Sequence, residues 1–219
     1  MSGLFIHMPK CAGASVRALL ESGFPGQVEF SYESYFRIPL AERLKIIAED
    51  METPVEVTDK TIVYGHYFPV KYLGKNLNPS LKLTTILRDP LERMRSHYIY
   101  WNSGVFEHYL CDKMKAERWS FTDFAFSAEM QNFYAQYSIN VPVERYDYIG
   151  IYENLQNSVK QCLATIGLDL PPDFIVPHKN GRATRDDDLL STIDREAFKQ
   201  WHAEDYALYE AAKQRFHSA

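Results

Sequence analysis

The chain has 219 residues, 46% of them hydrophobic, and a formal net charge of −5. This length and composition suit one globular domain with a sizeable core, so the sequence predicts a single domain over residues 1–219. The acidic balance argues against a surface that binds nucleic acid or another polyanion as a whole. No apolar run approaches the roughly 20 residues of a membrane span, and no signal peptide precedes the first predicted strand. We therefore expect a cytoplasmic protein with no membrane span and no nucleic-acid partner.

Strand-like apolar runs and helical patterns alternate along the chain. The sequence predicts strands at residues 4–6, 61–64, 83–87 and 148–151. It predicts helices at residues 40–51 and 154–166, and one long closing helix over about 194–216. Strands that alternate with helices favour a mainly parallel sheet covered on both faces. The expected fold is therefore α/β, a P-loop-like three-layer sandwich with a central sheet flanked by helices.

Two segments interrupt this alternation. Residues 102–147 are predicted to form a helical insertion in which packing is favoured over an acceptor-binding lid. Its aromatic residues are Tyr109, Trp119, Phe121, Phe124, Phe126, Phe133, Tyr134 and Tyr137. Residues 171–188 are predicted to form a polar loop that carries the basic side chains His178, Lys179, Arg182 and Arg185.

The first candidate site is a small-residue loop between the strand at 4–6 and an amphipathic helix. It consists of Lys10, Cys11, Ala12, Gly13, Ala14 and Ser15. Backbone N–H groups at such a helix start, with the positive end of the helix dipole, bind phosphate or sulfate. The loop differs from a Walker A motif because Lys10 precedes Gly13, the only glycine of the loop. An ordinary strand-turn-helix is the alternative interpretation.

The second candidate site follows the predicted strand at 83–87. Arg88 stands at the strand end, Asp89 is placed to cap a helix, and Pro90 suits the first helical position. Ser96 lies two turns along that helix, where its hydroxyl and Arg88 can grip a second phosphate. The alternative is a capped surface helix with an ordinary arginine.

Together these motifs resemble those of the PAPS-dependent sulfotransferases, in particular carbohydrate O-sulfotransferases related to the heparan sulfate 2-O- and 6-O-enzymes. The family's first motif reads roughly H-I-P-K-T-A-G-T-S, and residues 7–15 read HMPKCAGAS. Its second reads roughly R-D-P-x-x-R-x-x-S, and residues 88–96 read RDPLERMRS. Cys11 and Ala14 stand where the family often has threonine. Each replacement removes a side-chain hydroxyl donor, while the backbone N–H groups of the loop are unaffected.

The resemblance implies how the donor is bound. Residues 10–15 would hold the 5'-phosphosulfate of PAPS, and Arg88 and Ser96 its 3'-phosphate. The Lys10 ammonium would offset charge on the leaving bisphosphate. Ser96 would also compete for Lys10, and Arg185 would close over the nucleotide. No metal is required for this transfer, and the net charge favours a small or weakly charged acceptor, such as a saccharide or other metabolite.

An alcohol acceptor also needs a base. His66 follows the predicted strand at 61–64, and an imidazole titrates near neutral pH. A histidine in a similar Gly-His setting is the proposed base in the resembling enzymes, and no acidic residue is comparably placed in the sequence. The alternative for His66 is a structural histidine. His7 is expected to shape the loop.

Other function classes stay open from the sequence. A variant P-loop kinase or nucleoside triphosphatase is weakened by the missing Gly-Lys-Ser/Thr, and a non-catalytic PAPS-binding module is weakened by His66. The three cysteines, Cys11, Cys111 and Cys162, lack metal-ligand spacing and are expected to be reduced thiols. Direct transfer needs no covalent enzyme intermediate, which disfavours Cys11 as a nucleophile.

Overall fold

Parallel strands form one central sheet in the computed structural model, which describes residues 2–33, 38, 40–59, 61–104, 109–171, 173–176 and 187–217. The strands are β1 (Gly3–Ile6), β2 (Val28–Tyr32), β3 (Ile62–His66), β4 (Lys82–Leu87) and β5 (Tyr148–Ile151). Their order in the sheet is β2-β3-β1-β4-β5. Every neighbouring pair is parallel, and Ile6 of β1 lies opposite Gly65 of β3 and Thr85 of β4. The predicted α/β fold is confirmed.

Helices flank this sheet. They are α1 (Gly13–Gly23), α2 (Leu40–Glu52), α3 (Val70–Leu73), α4 (Pro90–Asn102), α5 (Tyr109–Ala116), α6 (Phe121–Ala125), α7 (Phe133–Tyr137), α8 (Leu155–Thr165), α9 (Asp187–Ser191), α10 (Arg195–Trp201) and α11 (Ala203–His217). Helix α8 packs on β4 and β5, and α11 packs on β5 and α7. No helix in the described part of the chain is long and apolar enough to cross a bilayer.

Two predictions of secondary structure were wrong. Strand β2 was not predicted, because it is an edge strand in which only Ser31 is buried and no continuous apolar run marks it. The closing helix is two helices, because the chain turns at His202 between α10 and α11. The buried His202 ring contacts the Ala125 oxygen through Nε2 at 2.8 Å and accepts the Asn132 N–H through Nδ1 at 3.2 Å.

The strand order places the candidate site. The chain leaves β1 toward β2 and β3, and later leaves β4 toward β5, so the direction of the connections reverses between β1 and β4. Parallel sheets bind ligands in the crevice beyond the carboxyl ends of such adjacent strands. The loop before α1 and the residues before α4 both lie at this crevice. His66, the last residue of β3, lies on the other side of β1.

Candidate active site

The loop between β1 and α1 leads from the carboxyl end of β1 into the start of a helix. Lys10 and Ala12 have left-handed conformations, with φ of 69° and 68°. Gly13 and Ala14 are the first residues of α1, and the first N–H groups of a helix have no acceptor within it. The Ser15 N–H instead donates to the Ala12 oxygen at 3.0 Å. The N–H groups of Gly13 and Ala14 therefore mark the positive end of an 11-residue helix.

Gly13 is required by a close approach. A Cβ atom at this position would lie 1.4 Å from Nε2 of His7, so the imidazole occupies the space of a side chain. The Gly13 oxygen accepts the hydroxyl of the buried Tyr64 at 2.8 Å. The ring of His7 is stacked on that of Tyr64, with centroids 5.4 Å apart. His7 therefore shapes the loop, as the sequence analysis expected.

Lys10 supplies a cation at this loop. Its Nζ atom lies 4.0 Å from the centroid of the Tyr100 ring, a cation–π contact with helix α4. Burial, and then the positive charge of Arg88, lower the pKa of Lys10 to about 8. The effect of Arg88 indicates that the two cations share one electrostatic environment. A bound polyanion would relieve this repulsion and favour the charged lysine.

Arg88 and the start of α4 form the second wall of the crevice. The Asp89 carboxylate caps α4 by accepting the N–H groups of Leu91 and Glu92, each at 3.0 Å, and Pro90 is the first helical residue. The Arg88 guanidinium pairs with Glu92 at 3.3 Å and lies 4.5 Å from the Tyr152 ring centroid. The predicted cap is confirmed, and it fixes Arg88 at the carboxyl end of β4.

The two later motif residues on α4 differ in surroundings. Ser96 is half-buried, while Arg93 is fully buried at 0% exposure. The Arg93 Nη1 atom contacts Nδ1 of His97 at 3.0 Å, and its guanidinium lies 4.4 Å from the Phe133 ring centroid. Arg93 therefore holds α4 against α7. The contact seen for Lys10 is with Tyr100, so restraint of Lys10 by Ser96 stays a prediction.

His66 has a defined orientation at the end of β3. Its Nδ1 atom lies 2.6 Å from the main-chain oxygen of His7, and the two rings are stacked 4.1 Å apart. A carbonyl oxygen only accepts, so Nδ1 carries the proton and Nε2 has a lone pair. Burial lowers the pKa of His66 to about 4. The imidazole is therefore neutral at neutral pH, in the form that accepts a proton.

The space for His66 depends on its neighbour in the strand. A Cβ atom at Gly65 would lie 1.7 Å from the main-chain oxygen of Ser31 in β2. Glycine therefore lets β2 and β3 approach beside the histidine. Tyr32 lies opposite His66 in this pair, with their rings edge to face at 5.0 Å.

Two residues with a bearing on the site were missed. Glu33 directly follows β2, and its N–H donates to the His66 oxygen at 2.8 Å, so an acidic residue does lie at this sheet edge. Its carboxylate pairs with Lys71. Tyr134 of α7 was assigned only to packing, yet its hydroxyl contacts Arg88 and Cys11. Because β2 was not recognised and Tyr134 is distant in sequence, no local signal marked either residue.

Three further predictions concern the Cys11 thiol, the basic loop that contains Arg185, and metal binding. Cys11 is 2% exposed, and burial raises the pKa of its thiol to about 11, which disfavours the thiolate form that a nucleophile needs. Arg185 lies outside the described residues, as do His178, Lys179 and Arg182 of the predicted basic loop. Within the described residues, no group of three or more His, Cys, Asp or Glu side chains is placed to hold a metal ion.

No protein-family model and no curated protein matches the chain. Among solved structures, a sulfotransferase from Alicyclobacillus acidocaldarius is 18% identical with a TM-score of 0.49, over 98% of this chain and 96% of that one. Mouse sulfotransferase SULT7A1, complexed with PAP, is 8% identical with a TM-score of 0.48, over 98% and 85% of the two chains.

A retinol dehydratase solved with androsterone and the inactive cofactor PAP is 12% identical, with a TM-score of 0.44, over 99% of this chain and 82% of that one. All three TM-scores lie below 0.5. Structural similarity at this level does not assign a function.

Proposed function

We propose that this protein is a PAPS-dependent sulfotransferase that transfers a sulfuryl group to a hydroxyl of a saccharide or other small acceptor. One arrangement carries the proposal: the loop with Lys10 and the strand end with Arg88 follow the adjacent strands β1 and β4, and the positive charge of Arg88 acts on the pKa of Lys10, while His66 ends β3 on the other side of β1. The motif resemblance given above supports the same donor. A cytoplasmic location stays a prediction.

The residues of the crevice fit a nucleotide donor that carries anionic groups at its 5' and 3' positions. The N–H groups of Gly13 and Ala14 lie at the start of α1 on the β1 side, where the helix dipole favours an anion. Arg88 is fixed on the β4 side by the capped start of α4. When bound, PAPS supplies the sulfuryl group and the bisphosphate leaving group. Lys10 is the mobile cation that offsets charge on the leaving oxygen.

His66 is the group assigned to the acceptor. Its Nε2 lone pair takes the hydroxyl proton while the hydrogen bond from Nδ1 to the His7 oxygen keeps the ring in place. Because the ring is neutral before the donor binds, no proton has to leave it first. The negative charge of a bound donor is expected to raise the pKa of His66 toward the working range.

Thermal unfolding with adenosine 3',5'-bisphosphate (PAP), AMP and Mg-ATP tests the donor class. At about 100-fold excess over its dissociation constant, a ligand stabilises the folded state by about 2.7 kcal/mol. For a domain of this size the shift in melting temperature is about 5–10 °C. We expect this shift with PAP in the absence of metal and a smaller one with AMP.

Two outcomes would contradict the proposal. A shift with Mg-ATP alone would favour a variant P-loop kinase or nucleoside triphosphatase. A PAP shift without turnover of labelled PAPS, across a panel of saccharide and small alcohol acceptors, would favour a non-catalytic PAPS-binding module.

A further inference from the structure

One buried hydroxyl joins the two walls of the crevice. The Tyr134 side chain is 0% exposed, and its Oη atom accepts the Arg88 N–H at 3.1 Å and donates to the Arg88 oxygen at 2.8 Å. The Cys11 Sγ atom lies 3.4 Å from the Tyr134 Oη atom. The Cys11 thiol also lies within donating distance of the Pro9 oxygen, at 3.7 Å, and either the thiol or the phenol can donate in this third contact. We call these contacts of Tyr134 with Cys11 and Arg88 the Tyr134 junction.

Hydrogen bonds to the main chain also hold Tyr134 in place. The buried Asp205 carboxylate accepts the N–H groups of Tyr134 and Ala135 through Oδ1, at 2.8 and 3.2 Å. The guanidinium of Arg93 lies 5.6 Å from the Tyr134 ring centroid. Burial raises the pKa of Tyr134 well above its ordinary value, so the phenol keeps its proton. The hydroxyl therefore has little freedom to follow a movement of one wall without the other.

We propose that Tyr134 is a positioning residue that couples two segments, the loop at residues 10–15 and the strand end at Arg88. An anion bound by one segment would then raise the affinity of the other segment for an anion. This inference rests on the proposed function, because both segments are assigned there to one bisphosphate. The segments follow different strands, and the Tyr134 hydroxyl bonds to both. An anion that orders one segment then reduces the conformational entropy that remains to be lost at the other.

The conservative variant Tyr134→Phe removes only the hydroxyl. Its matched control is Tyr146→Phe, since Tyr146 is equally buried and its hydroxyl bonds to Ser138 at 2.8 Å, away from the crevice. Calorimetric titrations would compare PAP with AMP and adenosine 3'-monophosphate. We expect Tyr134→Phe to weaken PAP binding about tenfold, the scale of one lost hydrogen bond, and each monophosphate by clearly less. Equal losses for all three nucleotides, or no loss, would overturn the coupling.

Hydrogen exchange of the ligand-free protein tests the junction independently of the donor. In Tyr134→Phe we expect faster amide exchange in residues 7–15 and 85–91, with no such change in Tyr146→Phe. Cys11→Ala serves as a second variant should Tyr134→Phe not fold, and it should loosen residues 7–15 only. Unchanged exchange in both segments would refute the junction. If the wild-type protein binds none of the nucleotides, the proposed function fails and the exchange result still decides whether Tyr134 links the segments.

Discussion

The imidazole of His66 is held by the main chain of His7, with Nδ1 2.6 Å from the carbonyl oxygen and the two rings stacked at an angle of 24°. His7 in turn fills the space beside Gly13 at the start of α1. The proposed base and the proposed anion-binding loop are therefore one packed unit. A shift of the loop would also change the direction of the His66 Nε2 lone pair.

Replacing His66 tests its role as base. We expect His66→Ala to lower turnover of PAPS by about 10²–10⁴-fold, the usual contribution of a positioned general base. PAP affinity should stay within about twofold, since His66 lies beyond β1 from the crevice. His217→Ala is the control, because His217 also contacts a main-chain oxygen, that of Ile149 at 2.8 Å, far from the site.

Near-normal turnover in His66→Ala would assign the base elsewhere. Glu33 is then the next candidate, because it follows the neighbouring strand β2 at the same edge of the sheet. Its carboxylate is paired with Lys71, so Glu33→Gln should leave turnover almost unchanged if His66 is the base.

The pH dependence of kcat/KM should follow the ionisation of His66 and Lys10 in the free enzyme. His66, with a pKa lowered to about 4, is in its neutral, active form above that pH. Lys10, with a pKa lowered to about 8, is in its charged form below that pH. We therefore expect kcat/KM to rise as the pH is raised past about 4 and to fall as the pH is raised past about 8.

The alkaline limb is checked with Lys10→Arg. Arginine stays charged throughout this range, so the fall near pH 8 should disappear even if the maximal rate is lower. A fall that persists unchanged in Lys10→Arg would show that another group titrates there.

Gly13→Ala tests the packing of His7 against α1. A Cβ atom 1.4 Å from Nε2 of His7 must displace the ring, so we expect a loss of about 1–3 kcal/mol in the free energy of unfolding and weaker PAP binding. Gly23→Ala is the matched control on the same helix, because its Cβ would meet Leu19 at an ordinary 3.7 Å. Denaturant unfolding of both variants measures the difference. Equal stability of the two would mean that the loop adapts without cost.

The local parts of the site could be predicted from the sequence. The cap at Asp89, Pro90 at the first helical position and Arg88 at a strand end all depend on residues within one or two turns, where residue type decides the backbone. The strand at 148–151 was placed correctly because it is a short apolar run, buried in three of its four positions.

The long-range parts could not be predicted. Tyr134 contacts Cys11 across 123 positions of sequence, and one aromatic residue among many in residues 102–147 carries no sign of such a partner. Arg93 is part of the second motif in the sequence, yet the packing of α7 decides that it is buried. The contact of Lys10 with Tyr100 likewise depends on how α4 lies against the loop.

The contact of Lys10 with Tyr100 is expected to oppose donor binding. The Lys10 ammonium lies over the Tyr100 ring, 4.0 Å from its centroid, and this contact must loosen if Lys10 turns to a bound donor. A cation–π contact at a partly exposed site contributes about 0.5–1 kcal/mol. We therefore expect Tyr100→Leu to tighten PAP binding about two- to fivefold. A double-mutant cycle with Lys10→Met isolates the contact, because Tyr100→Leu should have no effect once the ammonium is absent. Weaker PAP binding in Tyr100→Leu would instead mean that the ring holds Lys10 in the position that meets the donor.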